Sequence, residues 1–187
     1  MITNFYLVRH AHSAYTRDER GRPLSDQGVH DAKKAAGYLE KERIDEVLSS
    51  PYKRAIQTVE QIAHRIGREI IMEEGFRERI LSDEPVLDFQ AAIKRVWEDP
   101  EFFLGGGESN CAAQARVSQA ALTLLDKYKG KNLVIGTHGN IMVLLMNYFD
   151  KSYGYSFWKN LAMPDIYKLS FEDSRLAEVS RVWKEAE

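Results

Sequence analysis

The sequence predicts an α/β protein, a three-layer sandwich with a mostly parallel central sheet flanked by helices. Three observations carry that expectation. Short apolar runs rich in β-branched and aromatic residues, at 5–8, 47–48 and 133–135, suit strands buried on both faces. Segments with apolar residues three and four apart lie between them, as surface helices require. Each run is followed at once by polar, chemistry-bearing side chains, and open parallel sheets bind ligands beyond the carboxyl ends of their strands.

The elements follow in order. Residues 5–8 form the first strand, and Ser25 caps a helix whose apolar face is Val29, Ala32, Ala36 and Leu39. Val47 and Leu48 make a second strand. Ser50 and Pro51 read as N-cap and first residue of the next helix, because proline lacks the amide hydrogen that this position does not use. That helix carries Ala55, Val59, Ile62 and Ile66 on one face and stops at Gly67. A third strand is expected over 68–72 and a helix over 87–97. The run Gly105-Gly106-Gly107 reads as a hinge or close-approach turn; no Lys-Ser/Thr follows, so it is not a phosphate-cradling P-loop. Ser109 or Asn110 caps a long helix reaching Tyr128. After the strand at 133–135 comes an apolar helix over 140–148, and 166–171 with 176–182 form a hairpin that makes the end of the sheet antiparallel.

The 187 residues are read as one domain, 1–187, since domains run at roughly 150 residues each. With 26 basic against 28 acidic side chains the charge is −2, which argues against a nucleic-acid partner. No apolar run approaches the ~20 residues of a membrane span or the 7–15 of a secretory leader, so no membrane association and a cytoplasmic location are expected. The single cysteine, Cys111, has no internal disulfide partner, which suits a reducing compartment, and reads as a helix packing residue. His30 and His64 read as surface or boundary residues. Nothing in the sequence encodes an oligomeric state.

The chemistry collects where the strands end. After the first strand come Arg9, His10, Ala11 and His12; after the second, Ser49 through Arg54; after 133–135, Thr137, His138, Gly139 and Asn140. Two histidines and two arginines thus reach one sheet edge on three separate segments. Arginine forks bind phosphate or carboxylate in a bidentate way, and helix amino-termini such as Gly139-Asn140 add N–H groups. A histidine in that pocket can attack phosphorus through one ring nitrogen while the other stays protonated. The pair His10 and His12 could hold a metal, but no third ligand at a suitable spacing completes a site, so neither metal nor other cofactor is expected.

These residues are similar to those of a known family. Leu7-Val-Arg-His10, Leu24-Ser-Asp-Gln-Gly28, Ser49-Ser-Pro-Tyr-Lys-Arg54-Ala-Ile-Gln-Thr58, Gly107-Glu-Ser109 and Thr137-His-Gly139 resemble, in order, the signatures of the histidine phosphatase superfamily, which includes phosphoglycerate mutases and small phosphatases. The resemblance implies that His10 becomes phosphohistidine, that Arg9, Arg54 and His138 surround the phosphoryl group, and that Glu78, in Phe76-Arg77-Glu78, donates the proton to the leaving alcohol; Asp83 and Glu84 are the other acids in reach. It also implies substrate contacts from Thr16, Gly139 and Asn140. The family usually has glycine where Ala11 stands and asparagine where Thr16 stands, which bears on substrate contacts.

The expected activity is phosphomonoester hydrolysis of a small phosphorylated metabolite. A phosphoglycerate-type mutase is the nearest alternative, although only 29 residues separate Glu78 from Glu108, where mutases of this resemblance carry a longer insertion. A non-catalytic phospholigand-binding pseudo-enzyme is the rival from another class. Trp97, Phe102, Phe103 and Trp158 are expected in the core or lining an apolar leaving-group pocket.

Overall fold

The structure, a computed structural model, describes residues 1–184. Six strands form one sheet in the order β3-β2-β4-β1-β5-β6. In chain order the strands are β1 (Ile2–Arg9), β2 (Glu46–Ser49), β3 (Ile70–Met72), β4 (Asn132–Thr137), β5 (Asp165–Glu172) and β6 (Arg175–Arg181). The helices are α1 (Asp26–Tyr38), α2 (Lys53–Ile66), α3 (Phe89–Glu98), α4 (Asn110–Lys127), α5 (Gly139–Phe149) and α6 (Tyr155–Lys159). β1 to β4 pair in parallel, and β5 with β6 closes one edge antiparallel.

Alternation along β1 explains the layers. Phe5 and Leu7 face one side, with α4 and α5 residues such as Val117, Leu125, Ile141 and Leu145. Tyr6 and Val8 face the other, with Ala35 and Ala36 of α1 and Val59, Ile62 and Ala63 of α2. Both faces are therefore covered, which a parallel sheet with near-continuous apolar strands demands. Among the described residues no helix is long and apolar enough to cross a membrane.

The caps mostly follow the sequence. Ser25 accepts from Gly28 N, Ser109 accepts from Ala112 N, and Gly67 ends α2 in the left-handed region at φ 64°. Two expectations are corrected. Val29 is 42% exposed; the buried face of α1 is Gly28, Ala32, Ala35 and Ala36, small residues that let the helix lie close to α2. Helix α2 begins at Lys53 with Tyr52 as N-cap, not at Ser50-Pro51, because the Ser50 hydroxyl is engaged elsewhere. Cys111 is another correction: it is exposed, since α4 turns Asn110, Ala113 and Val117 inward and leaves its neighbour outside. His30 and His64 are exposed as expected.

The glycine run is a close-approach turn. Asp83 N donates to Gly105 O and Glu108 N to Ile80 O, laying 80–83 against 105–108. Gly106 has φ +66°, and a Cβ there would stand 2.2 Å from Asp83 Cγ.

Candidate active site

Register brings the site together. Arg9 pairs with Thr137 and Ser49 with Gly136, so the three chain segments leave the sheet side by side. Backbone bonds continue the ladder one step: His10 N donates to Thr137 O at 2.9 Å and Ser50 N to Gly136 O at 2.8 Å. His10 and His138 consequently lie with ring centroids 5.2 Å apart, edge to face.

His10 is buried, and its two nitrogens have different surroundings. Nδ1 lies 2.8 Å from Ala11 O, which can only accept, so Nδ1 carries the proton. Nε2 then has a lone pair, and Arg54 Nε donates to it at 3.3 Å. Burial, with help from the cations Arg54, Arg9 and Arg22, pushes the imidazole pKa down to about 3. His10 is a neutral imidazole at physiological pH. Ala11 does no harm to this geometry: its N donates to Thr58 Oγ1 at 3.0 Å, and Asp173 is the one non-glycine with positive φ among the described residues.

His138 is fully buried, and burial followed by His10 and the arginines drives its pKa well down. Its Nε2 lies 2.7 Å from Ser50 Oγ, which also accepts from Tyr52 N at 3.3 Å. A Ser50 hydroxyl that donates to Nε2 would leave the ring proton on Nδ1, and Nδ1 has no protein partner. Tyr52 packs edge-on against the same ring, centroids 5.0 Å apart.

The arginines are only partly spent. Arg9 Nη1 donates to Leu161 O at 3.1 Å and Ala162 O at 2.9 Å, while its Nε is unpartnered. Gly139 matters here, because a Cβ at that position would stand 2.9 Å from Arg9 Nε. Arg54 donates from Nη1 to Glu19 O at 2.6 Å and approaches the Glu19 carboxylate at 3.4 Å.

Glu78 is half-buried, and desolvation of its carboxyl pushes the pKa up despite Arg79, Arg54 and Arg9 nearby. Arg79 N donates to its Oε1 at 2.8 Å. Of the other acids considered, Asp83 is held at the glycine turn and Glu84 is exposed.

Two residues expected to contact substrate have protein partners in this structure. The Thr16 hydroxyl is spent within its own loop, donating to Asp18 O at 2.9 Å. Asn140 is buried and donates through Nδ2 to Asn110 Oδ1 at 3.3 Å, so it tethers α5 to α4, and its Oδ1 is unpartnered. His12 is exposed with Nδ1 2.8 Å from Ser25 Oγ, attached to the α1 cap rather than facing His10. Of the four aromatics, Phe103 lines a cavity of about 440 Å³ with Arg77, Ile80, Gly107 and Ser109, whereas Trp97, Phe102 and Trp158 are half-buried.

Three further functional candidates, Arg22, Arg79 and Glu19, carry no local sequence signal, and Ser50, read as a helix cap, takes a different part. Arg22, from the loop before α1, is close enough to depress His10 and pairs with Glu19. Arg79 is 6% exposed with Nε and Nη1 unpartnered. Glu19 sits across Arg54 and Arg22, and Ser50 orients His138. Four guanidiniums (Arg9, Arg22, Arg54, Arg79) thus gather around Glu19 and Glu78, with Asp165 also acting on Arg9 and Glu108 on Arg79, and the unpartnered Arg9 Nε and Arg79 Nε and Nη1 are left to meet an anion.

The histidine phosphatase superfamily (branch 1) sequence profile matches residues 5–183. The chain belongs to that superfamily. A phosphoglycerate mutase-like protein of Arabidopsis thaliana is 32% identical over an alignment of 152 positions, with 73% of this chain covered and 66% of that relative, just short of two thirds of its length. Phosphoserine phosphatase 1 of Hydrogenobacter thermophilus is 28% identical over an alignment of 150 positions, with 73% of this chain covered and 71% of that one. The fold matches a mycobacterial glucosyl-3-phosphoglycerate phosphatase with a TM-score of 0.77 over 97% of each chain at 22% identity. It also matches a phosphoserine phosphatase variant of Entamoeba histolytica, TM-score 0.76 at 20% identity, covering 95% of this chain and 96% of that one. The superfamily and the phosphoglycerate mutase-like fold expected from the sequence are therefore correct.

Proposed function

We propose that the protein is a phosphomonoesterase that hydrolyses a small phosphorylated metabolite through a phosphohistidine on His10. The observation that carries this reading is the unprotonated Nε2 of a neutral His10, accepting from Arg54 Nε. The arginine set supplies the cationic charge that a metal ion supplies in other phosphatases, so no step requires a metal.

In the first step the Nε2 lone pair attacks phosphorus in line, the bond to the leaving oxygen breaks, and the Glu78 carboxyl proton passes to that oxygen. Ala11 O holds the Nδ1 proton and stabilises the positive charge that builds on the ring. Arg9, Arg54, Arg22 and the Nδ1–H of His138 bind the three non-bridging oxygens. In the second step Glu78, now a carboxylate, takes a proton from water as that water attacks phosphorus. The N–P bond breaks, its electron pair returns to Nε2, and inorganic phosphate leaves. The raised pKa of Glu78 suits both duties, since the group must be acid and base within one turnover.

The substrates named for two of the relatives, phosphoserine and glucosyl-3-phosphoglycerate, are phosphomonoesters, which supports the reaction class. A panel of phosphosugars, nucleotides, phosphoamino acids and phosphoglycerates tests the reading. Release of inorganic phosphate from some members, lost in His10→Ala, is expected. Phosphoryl exchange between phosphoglycerates without phosphate release would establish the mutase instead. No turnover of any member, alongside tight binding of one, would establish a pseudo-enzyme.

A further inference from the structure

Arg9 stands opposite Asp165 in the β1–β5 ladder. Its guanidinium is tied along one edge by two backbone carbonyls, Leu161 O and Ala162 O, while its Nε is unpartnered and packed against Gly139. Those carbonyls belong to the irregular stretch between α6 and β5, where no helix or strand fixes them. Asp165 does. It is fully buried; Oδ2 accepts from Ala162 N at 2.9 Å and Oδ1 from Ile166 N at 3.0 Å. Arg181 of β6 grips both oxygens, Nε to Oδ1 at 2.9 Å and Nη2 to Oδ2 at 3.0 Å.

A buried ion pair is weak evidence of stabilisation, because the desolvation of two charges offsets their attraction. Its position suggests another use. The carboxylate that Arg181 clamps holds the amide of the very residue whose carbonyl holds Arg9. It also faces Arg9 electrostatically and supports its charge against burial.

We propose that Asp165, clamped by Arg181, is a positioning residue for phosphoryl binding: it fixes the 161–162 carbonyls so that Arg9 presents its unspent edge to the phosphoryl oxygens. It touches no substrate itself. The proposal rests on the reading of Arg9 as a phosphoryl ligand.

Inorganic phosphate is the probe, its affinity measured by calorimetry, with KM and kcat on p-nitrophenyl phosphate and the melting temperature of each protein. Asp165→Asn keeps the shape and removes the charge. It is expected to weaken phosphate about tenfold and raise KM by a similar factor, with kcat within about threefold of wild type. Arg181→Gln, a milder change on the edge strand, moves the same quantities the same way by about threefold, and it remains decisive if Asp165→Asn does not fold. In an Arg9→Ala background either substitution adds nothing. Lowered melting temperature with unchanged phosphate affinity in the folded variants would overturn the proposal, as would an equal loss with and without Arg9. Wild-type protein that binds no phosphate would fail at the earlier step, the reading of the pocket itself.

Discussion

Arg54 Nε stands 3.3 Å from His10 Nε2, so the cation proposed to gather a phosphoryl group touches the atom proposed to attack it. The contact needs an Nε2 without a proton, and an incoming phosphoryl group takes the place of Arg54 on that lone pair. A lysine at position 54 keeps the charge but has no planar fork to bind phosphoryl oxygens in a bidentate way. Arg54→Lys should lower kcat/KM by about 10²–10³-fold, the usual cost of one lost transition-state donor. Steady-state kinetics of the folded variant check this.

Glu78→Gln removes the proposed proton donor. With poor leaving groups such as alkyl phosphates the rate should fall by about 10²–10⁴-fold. With p-nitrophenyl phosphate, whose leaving group departs without a proton, the first step should fall far less. The raised pKa sets the sign of the pH dependence: hydrolysis of alkyl phosphates declines as pH rises through it, and that limb vanishes in Glu78→Gln. A leaving-group series measured against pH separates the two outcomes.

Glu19 lays its carboxylate across Arg54 and Arg22, where a phosphate has to compete with it. Its side chain is 58% exposed, so the effect is modest. Glu19→Gln should tighten inorganic phosphate by up to about fivefold at low salt, with the gain shrinking at high salt. Looser binding in the variant would instead make Glu19 a partner that orients Arg54.

Acid stability follows from the two histidines. His10 has a folded pKa near 3 and His138 one well below 6.5, so the unfolded chain binds more protons as pH drops below 6.5. Stability is present above that value and is lost as pH falls toward the folded pKa, at up to about 1.4 kcal/mol per pH unit for each histidine. Glu78, raised in the folded state, works in the opposite direction and softens the slope. Urea melts between pH 7 and 4 should show a shallower loss in His138→Gln than in wild type.

Two substitutions test the packing of α1. Ala36→Leu should cost about 1–3 kcal/mol by overfilling the contact with α2, and Val29→Lys should stay within about 0.5 kcal/mol of wild type. A loss well above 0.5 kcal/mol in Val29→Lys on chemical denaturation would return Val29 to the buried face.

Much of this arrangement is legible in the residues. Apolar runs of strand length mark β1, β2 and β4, and parallel register then forces Arg9, His10, Ser50 and His138 to one edge. What escapes depends on distant pairing. A Ser-Pro step looks the same whether its hydroxyl caps a helix or is taken by an imidazole 88 positions away, as it is here. Val29 fits an apolar stripe at helical spacing, but the neighbouring alanines permit a closer approach and the helix turns toward them. No motif marks Arg22 or Arg79; their burial arises where loops pack over the sheet edge, which no local pattern records. Thr16 stands at a family position yet is consumed by its own loop turn.

The most direct measurement is a rapid-quench reaction with ³²P-labelled substrate, stopped in base and followed by peptide mapping. A phosphohistidine route predicts label that is stable in alkali, labile in acid, chased by unlabelled substrate and carried on the peptide containing His10. Burst-free turnover in which no label ever attaches to the protein, or label on any other residue, would contradict it.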